Sequence, residues 1–346
     1  MDSSPSQPTT TTIPTSTPTQ PSITPPISAS EPTPSPPTST HSRIRQIRLL
    51  ILQSFYATAH RSDSTILHLS RLLSTPSGTD SLLCTVGYTL TFLHSILSRL
   101  LTNRLSKLAT DIAAKASDAL LPGETLITTF PAPGPTAAIA RVTASSKALA
   151  DVISDFRIFV RLWGLVGIYE WGRGTWKTGL NEGAGRKERI LRAVTWGQIV
   201  ACAAYQILEN GAYLASKGVL STAGWMGEAG AKRQARWWVW SSRFWAAHVG
   251  LEGVRLGAVW WYRGKEDKER AARGAVGDGE KEEKLLIEQR KKEDRLWWRD
   301  AISNSAYAPL TVHWSLEEGL VSDAWVGFLG AVAGAVSLRE ALRNTA

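Results

Sequence analysis

The chain has 346 residues, a formal net charge of +9 and a pI near 9.7. That balance favours anionic partners such as phospholipid headgroups, nucleic acid or acidic proteins. A mean hydropathy just below zero argues against a many-spanning transporter. The two cysteines, Cys84 and Cys202, are far apart and form no metal or redox pattern, so buried apolar residues are expected there rather than a disulfide.

Residues 1–42 are almost wholly Ser, Thr and Pro, with a few Ile and only two acids. Such a segment cannot bury enough apolar area to offset its ordering entropy, so a disordered tail is expected there. Its recurring Ser-Pro and Thr-Pro pairs are the alternative, a platform for phosphorylation. It carries no Lys or Arg and no apolar run, so neither a secretory signal nor an Arg-rich presequence is expected in it.

An amphipathic helical region is expected over residues 43–121. Ile44, Ile47, Ile51 and Phe55 recur at helical spacing beside Arg43, Arg45 and Arg48. Ser62, Asp63, Ser64 and Thr65 offer N-caps for a second helix. Thr75-Pro76-Ser77-Gly78 reads as a turn, and Asp80 or Ser81 as the cap of the next helix. That helix has the strongest period in the chain: Leu83, Val86, Leu90, Leu93, Leu97, Leu101, Leu105, Leu108 and Ile112. Such a stripe packs on neighbouring helices or lies in a bilayer interface. In the second case Leu83, Val86, Leu90, Leu93 and Leu97 insert into lipid, and Arg99, Arg104 and Lys107 meet headgroups.

Residues 122–135 hold Pro122-Gly123 and a Pro/Gly cluster, and read as a loop. A Trp-rich, membrane-associated helical region follows over 136–262. All 15 Trp residues lie at or after Trp163, many beside Arg or Gly inside apolar runs. Trp has an apolar body and one polar N–H, so it is enriched where hydrocarbon meets water. Arg157 and Arg161 share one helix face. Residues 172–189 read as a Gly-rich basic loop. Stretches 190–208 and 237–262 are apolar but interrupted by charge, so they lie in the interface or pair as helical hairpins. Residues 263–295 form a charged helix or linker. Within the anchoring region 296–346, residues 319–338 come closest to the roughly 20 apolar residues that a span requires. The fold class is therefore all-α: a helical membrane protein with amphipathic interfacial helices and one clear C-terminal transmembrane helix.

No catalytic or cofactor chemistry emerges. The six His residues form no HExxH pair and no metal-ligand spacing. No G-x-S-x-G elbow is present. The basic loop lacks the Gly-Lys-Ser/Thr ending of a phosphate loop. Aromatics set in helical apolar stretches suit lipid better than stacked bases, so nucleic acid is not an expected partner. Two G-x-x-x-G patterns, Gly253/Gly257 and Gly330/Gly334, let a partner helix approach closely. Gly327 extends the second, and helix packing is expected at Gly327, Gly330 and Gly334.

Leu72-Leu73-Ser74-Thr75-Pro76-Ser77-Gly78-Thr79-Asp80 with the long Leu helix after it resembles the start of the fungal type C group of the peroxin-11 family. Residues 154–162, with Arg157, Arg161 and Leu162, resemble the family's central Arg-x-x-x-Arg-Leu helix. Residues 321–330, with Asp323, Gly327 and Gly330, resemble its C-terminal segment. The Ser/Thr/Pro tail and the Trp content depart from the family pattern. The resemblance implies an integral protein of the peroxisomal membrane that elongates it before fission. It also implies self-association and work with the fission machinery and a membrane-protein import receptor. Anionic phospholipid is the partner that the charge pattern implies. The expected mechanism is insertion of amphipathic helices into one leaflet, which favours positive curvature. The alternatives are a metabolite pore lined by Arg192, Arg243, Glu252 and Arg255, and a soluble helical scaffold with a Trp core.

Overall fold

A computed structural model describes residues 40–117, 133–180, 183–273 and 280–346. Every regular element among them is helical: α1 Thr40–Leu73, α2 Pro76–Ser117, α3 Gly134–Val160, α4 Gly164–Lys177, α5 Arg186–Ser216, α6 Gly227–Arg273, α7 Glu280–Trp314 and α8 Asp323–Asn344. The expected tail lies outside the described residues up to residue 39, and the first helix already begins at Thr40. Most of the expected Pro/Gly loop, residues 122–132, also lies outside them. The chain divides into two units, Met1–Arg61 and Ser62–Ala346.

The first unit contains the start of α1. Ile47, Leu50, Ile51 and Leu52 are all exposed there. The expected break at Ser62–Thr65 is absent, and α1 runs unbroken to Leu73. Its sequence contains neither glycine nor proline, so nothing forces an interruption. Mid-helix hydroxyls fold back instead: Ser54 donates to the Ile51 carbonyl and Thr58 to that of Ser54.

In the second unit, α1 ends where Pro76 opens α2. The cap of α2 is Thr75, whose Oγ1 accepts the Gly78 N–H at 3.1 Å, rather than Asp80 or Ser81. Pro at the first helical position costs no hydrogen bond, which moves the start of the helix upstream of the expected site. A side chain at Gly78 would strike the Leu72 carbonyl, and Leu72 itself is sealed.

Helices α3 and α8 both run antiparallel to α2. On one side His94 Nδ1 donates to the Thr143 carbonyl, Gly87 faces Ile153, and Arg157 reaches Asp80. On the other, Gly327, Gly330 and Gly334 lie against Phe92, Tyr88 and Thr85. A methyl group at Gly327 would strike the Phe92 backbone, and one at Gly334 would lie 2.8 Å from the Thr85 nitrogen. The other small-residue pair behaves differently. Gly257 faces open space, and a methyl at Gly253 would make ordinary contact with Asn304 at 3.5 Å.

The segment expected as a loop over 172–189 is helical to Lys177 and again from Arg186. Packing overrides the weak helix propensity of its glycines: Gly172 sits on Ile199, and Trp176 meets Trp196 edge to face. Arg192 of α5 then ends α4 by donating to the carbonyls of Thr175 and Gly179. Antiparallel pairing continues from α5 to α6 through Gln198–Glu252 and Gly211–Trp237. It continues from α6 to α7 through Trp297, which donates to the Leu256 carbonyl, and through Arg263–Asp294. Helix α6 crosses residue 262 without a break and reaches Arg273, while α7 runs through residue 295.

Aromatic rings join the helices at the centre. Trp245 of α6 stacks on Trp314 at 5.4 Å and touches Tyr307, both on α7. Tyr205 of α5 and Tyr88 of α2 close the cluster. Two described helices, α2 and α8, are long and apolar enough to cross a membrane. Helix α8 is the expected candidate, and α2 is a second one.

The tight seam generates a test. Gly327→Ala or Gly334→Ala should each cost about 1–3 kcal/mol, because backbone must move to admit the methyl. Gly257→Ala should be neutral or stabilising by up to about 1 kcal/mol. Denaturation of the detergent-solubilised chain, followed by Trp fluorescence, reads both.

Candidate functional site

The α2 stripe divides between interior and surface. Leu83, Leu90 and Leu97 are half-buried along its margin, whereas Val86 and Leu93 are exposed. Ile96 and Leu100 extend the exposed face. Steps of seven residues hold one side of a helix, so Val86, Leu93, Leu100 and then Lys107 lie in line. Arg104 lies one turn above Leu100 on that side. Both cations are exposed. Val86 and Leu100 are separated by about 21 Å along the axis. The face thus offers a ribbon of hydrocarbon that ends in positive charge. Arg99 departs from it: it turns toward α8, where its Nη2 donates to Ser322 Oγ at 3.4 Å.

Neighbouring helices continue the apolar surface. On α3, Val152, Phe156 and Phe159 are exposed, as is Trp163 in the 3-10 turn that follows, and on α8 so are Trp325 and Phe328. Water-facing monomer surfaces rarely gather so many large apolar side chains, whereas lipid-facing or partner-facing ones do.

Beneath this surface lie ion pairs that the sequence reading did not assemble. Arg161 reaches Glu209 of α5 through two hydrogen bonds of 3.1 and 3.2 Å. Glu209 is 5% exposed and also accepts the Tyr205 hydroxyl. Gln206 and Asn210 donate to the carbonyls of Arg161 and Leu162. Those carbonyls belong to a 3-10 turn between α3 and α4, so α5 supplies the hydrogen bonds that the turn lacks. One turn earlier, Arg157 pairs with Asp80 at 2.8 Å. The shared face of Arg157 and Arg161 was visible in the sequence. Their acidic partners were not, because Glu209 lies 48 residues away from Arg161.

A second set joins α5, α6 and α7. Gln198 donates to Glu252, and Arg255 bridges Glu252 and Asp300. Arg243 donates to the Ser315 carbonyl and lies over the Trp240 ring. The four charges expected to line a pore are therefore engaged with protein groups: Arg192 on the end of α4, Arg243 on the end of α7, and Glu252 with Arg255. Histidines serve similarly. His68 donates to the Leu342 carbonyl, and His313 Nδ1 accepts the N–H groups of Leu320 and Val321. Among the described residues no group of three His, Cys, Asp or Glu side chains is placed to hold a metal ion.

Residues 175–342 match the family model described as peroxisomal biogenesis factor 11 (PEX11). The chain is a peroxin-11 family protein. No curated protein and no solved structure matches it. As a peroxin-11 protein it resides in the peroxisomal membrane and acts in peroxisome proliferation and membrane remodelling. The matched residues run from the last turn of α4 through α8, so they contain Glu209, the α5–α6–α7 charge set and the three glycines of α8. Helices α2 and α3, with Asp80, Arg157 and Arg161, lie outside them and are joined to the peroxin-11 region by the contacts described above.

The Arg161–Glu209 pair can be tested in this setting. Glu209→Ala leaves a guanidinium without its carboxylate and should cost about 3 kcal/mol. The paired change Arg161→Met with Glu209→Leu should recover at least half of that, because no orphan charge remains. Thermal unfolding in detergent of the two variants side by side decides it.

Proposed function

We propose that this peroxin-11 protein elongates the peroxisomal membrane by holding a helical bundle in the bilayer and laying an amphipathic helix into one leaflet. The observation that carries the reading is the exposed face of α2, apolar from Val86 to Leu100 and cationic at Arg104 and Lys107. On this reading Val86 and Leu93 contact acyl chains, and Leu83, Leu90 and Leu97 line the border where lipid meets α3. Arg104 and Lys107 take headgroups directly, and Arg99 does so beside the α2–α8 seam. Each cation contributes on the order of 1 kcal/mol near an anionic surface.

The wedge on this reading is the first part of α1. Its Leu50 and Ile51 are exposed within their own unit, and a helix lying about 5–10 Å into one leaflet spreads the headgroups there. The seam glycines bind α8 to α2 within the chain, so self-association uses other surfaces, with the outer face of α3 as the nearest apolar one. Copies held together concentrate their wedges. The fission machinery and an import receptor are the partners that the family resemblance suggests.

Two substitutions separate anchoring from bending. Leu50→Glu with Ile51→Glu should leave the protein in the peroxisomal membrane and abolish elongation, read as peroxisome length in cells that lack the native copy. Leu93→Glu should weaken membrane retention itself, read by carbonate extraction. Unchanged elongation with the first pair would refute the wedge, and full retention with the second would refute lipid contact at α2.

A further inference from the structure

Where α6 and α7 leave their Trp-rich stretches, a cleft of about 710 Å³ opens between them. Its walls are Trp260 and Trp261 from α6 and Trp297 and Trp298 from α7. Trp260, Trp261 and Trp298 are each at least 60% exposed. Trp297 is fixed by its hydrogen bond to the Leu256 carbonyl, and Trp298 stands edge-on to it at 5.0 Å. Gly264 forms part of the lining, and a methyl group there would meet nothing within 4 Å. Bare backbone therefore helps to keep the cleft open.

Charge is arranged unevenly around it. The two carboxylates of the lining are both engaged by arginines, Asp294 by Arg263 and Asp267 by Arg290. The lysines are less committed. Lys265 comes no nearer than 3.9 Å to Glu269, and Lys268 forms no ion pair among the described residues. Trp261, Lys265 and Lys268 fall at i, i+4 and i+7, one face of α6. Beyond this level α6 and α7 are held by the ion pairs of Arg263 with Asp294 and of Arg290 with Asp267, and before it by the rings of Trp245, Tyr307 and Trp314 together with Arg255–Asp300. The cleft thus sits where the aromatic side chains of the hairpin give way to ion pairs.

We propose that this cleft binds one anionic glycerophospholipid, its phosphodiester on Lys265 and Lys268 and its first acyl carbons against Trp260, Trp261 and Trp298. A soluble phosphate compound would use the lysines but leave three indoles in water. An acyl chain covers them, and Trp is favoured where an apolar body and a polar edge are both satisfied. The site would tie the α6–α7 hairpin to one leaflet and fix its depth. It rests on the membrane reading above but is independent of α1 and α2.

Native mass spectrometry of the full chain in detergent, with equimolar phosphatidylglycerol and phosphatidylcholine, tests it. The native chain should retain phosphatidylglycerol over phosphatidylcholine by about tenfold. Lys265→Gln with Lys268→Gln should remove the preference. Gly264→Leu, whose Cβ meets no neighbour within 4 Å and which improves helix propensity, should reduce retention of both lipids. Equal retention of the two lipids by the native chain overturns the proposal, as does undiminished preference in the lysine variant. Displacement of the lipid by inorganic phosphate at constant ionic strength overturns it in favour of a soluble anion. Carbonate extraction of the same proteins keeps the two readings apart. A chain that stays in the membrane without a headgroup preference refutes only the cleft, whereas a released chain refutes the membrane reading.

Discussion

Backbone-to-backbone contact between α8 and α2 is the constraint from which the second unit is built. Gly327, Gly330 and Gly334 remove every side chain from one line along α8, and Phe92, Tyr88 and Thr85 occupy the space. Hydrocarbon provides little driving force for one apolar helix to leave lipid for another, so helices in membranes associate through close packing and polar contacts. The seam supplies the first. It also places Tyr88 beside Trp314, and so connects α2 to the aromatic cluster of α5, α6 and α7.

Polar contacts supply the rest. Arg161 with Glu209, and Arg255 with Glu252 and Asp300, carry charges that are costly to leave unpaired away from water. Each set joins helices that the apolar contacts alone would leave free to slide. Register along a uniformly apolar helix is weakly specified, whereas a bidentate arginine on a carboxylate accepts a narrow range of positions. The charges within the bundle therefore act on geometry. Their engagement with protein groups also removes the argument for a pore lined by Arg192, Arg243, Glu252 and Arg255, since each already has a protein partner.

The outside of the unit follows from the inside. With one side of α2 against α8 and another against α3, the remaining side displays Val86, Leu93, Ile96 and Leu100. A peroxin-11 protein in the peroxisomal membrane has lipid available to cover such a surface. The same logic explains why the hydropathy of α5, α6 and α7 falls short of a simple span. Their interrupting charges are engaged by protein groups, and Trp260 and Trp298 with their neighbours occupy the ends of the apolar stretches.

Local pattern settled the helical class, the long Leu helix, the C-terminal apolar helix and the pair Arg157/Arg161, because a 3.6-residue period and a run of apolar residues are written within a few turns of chain. It misplaced the break in α1, the cap of α2 and the loop at 172–189. In each case a stretch without glycine or proline, a proline at the first turn, or packing against α5 outweighed the local signal. Neither could it separate two identical glycine patterns: Gly330 and Gly334 touch α2, while Gly257 touches nothing. Composition along the chain thus determined which segments are helices and which faces are apolar. Only the tertiary structure decided which faces meet, because Arg161 finds Glu209, and Gly334 finds Thr85, through pairings that no nearby residue encodes.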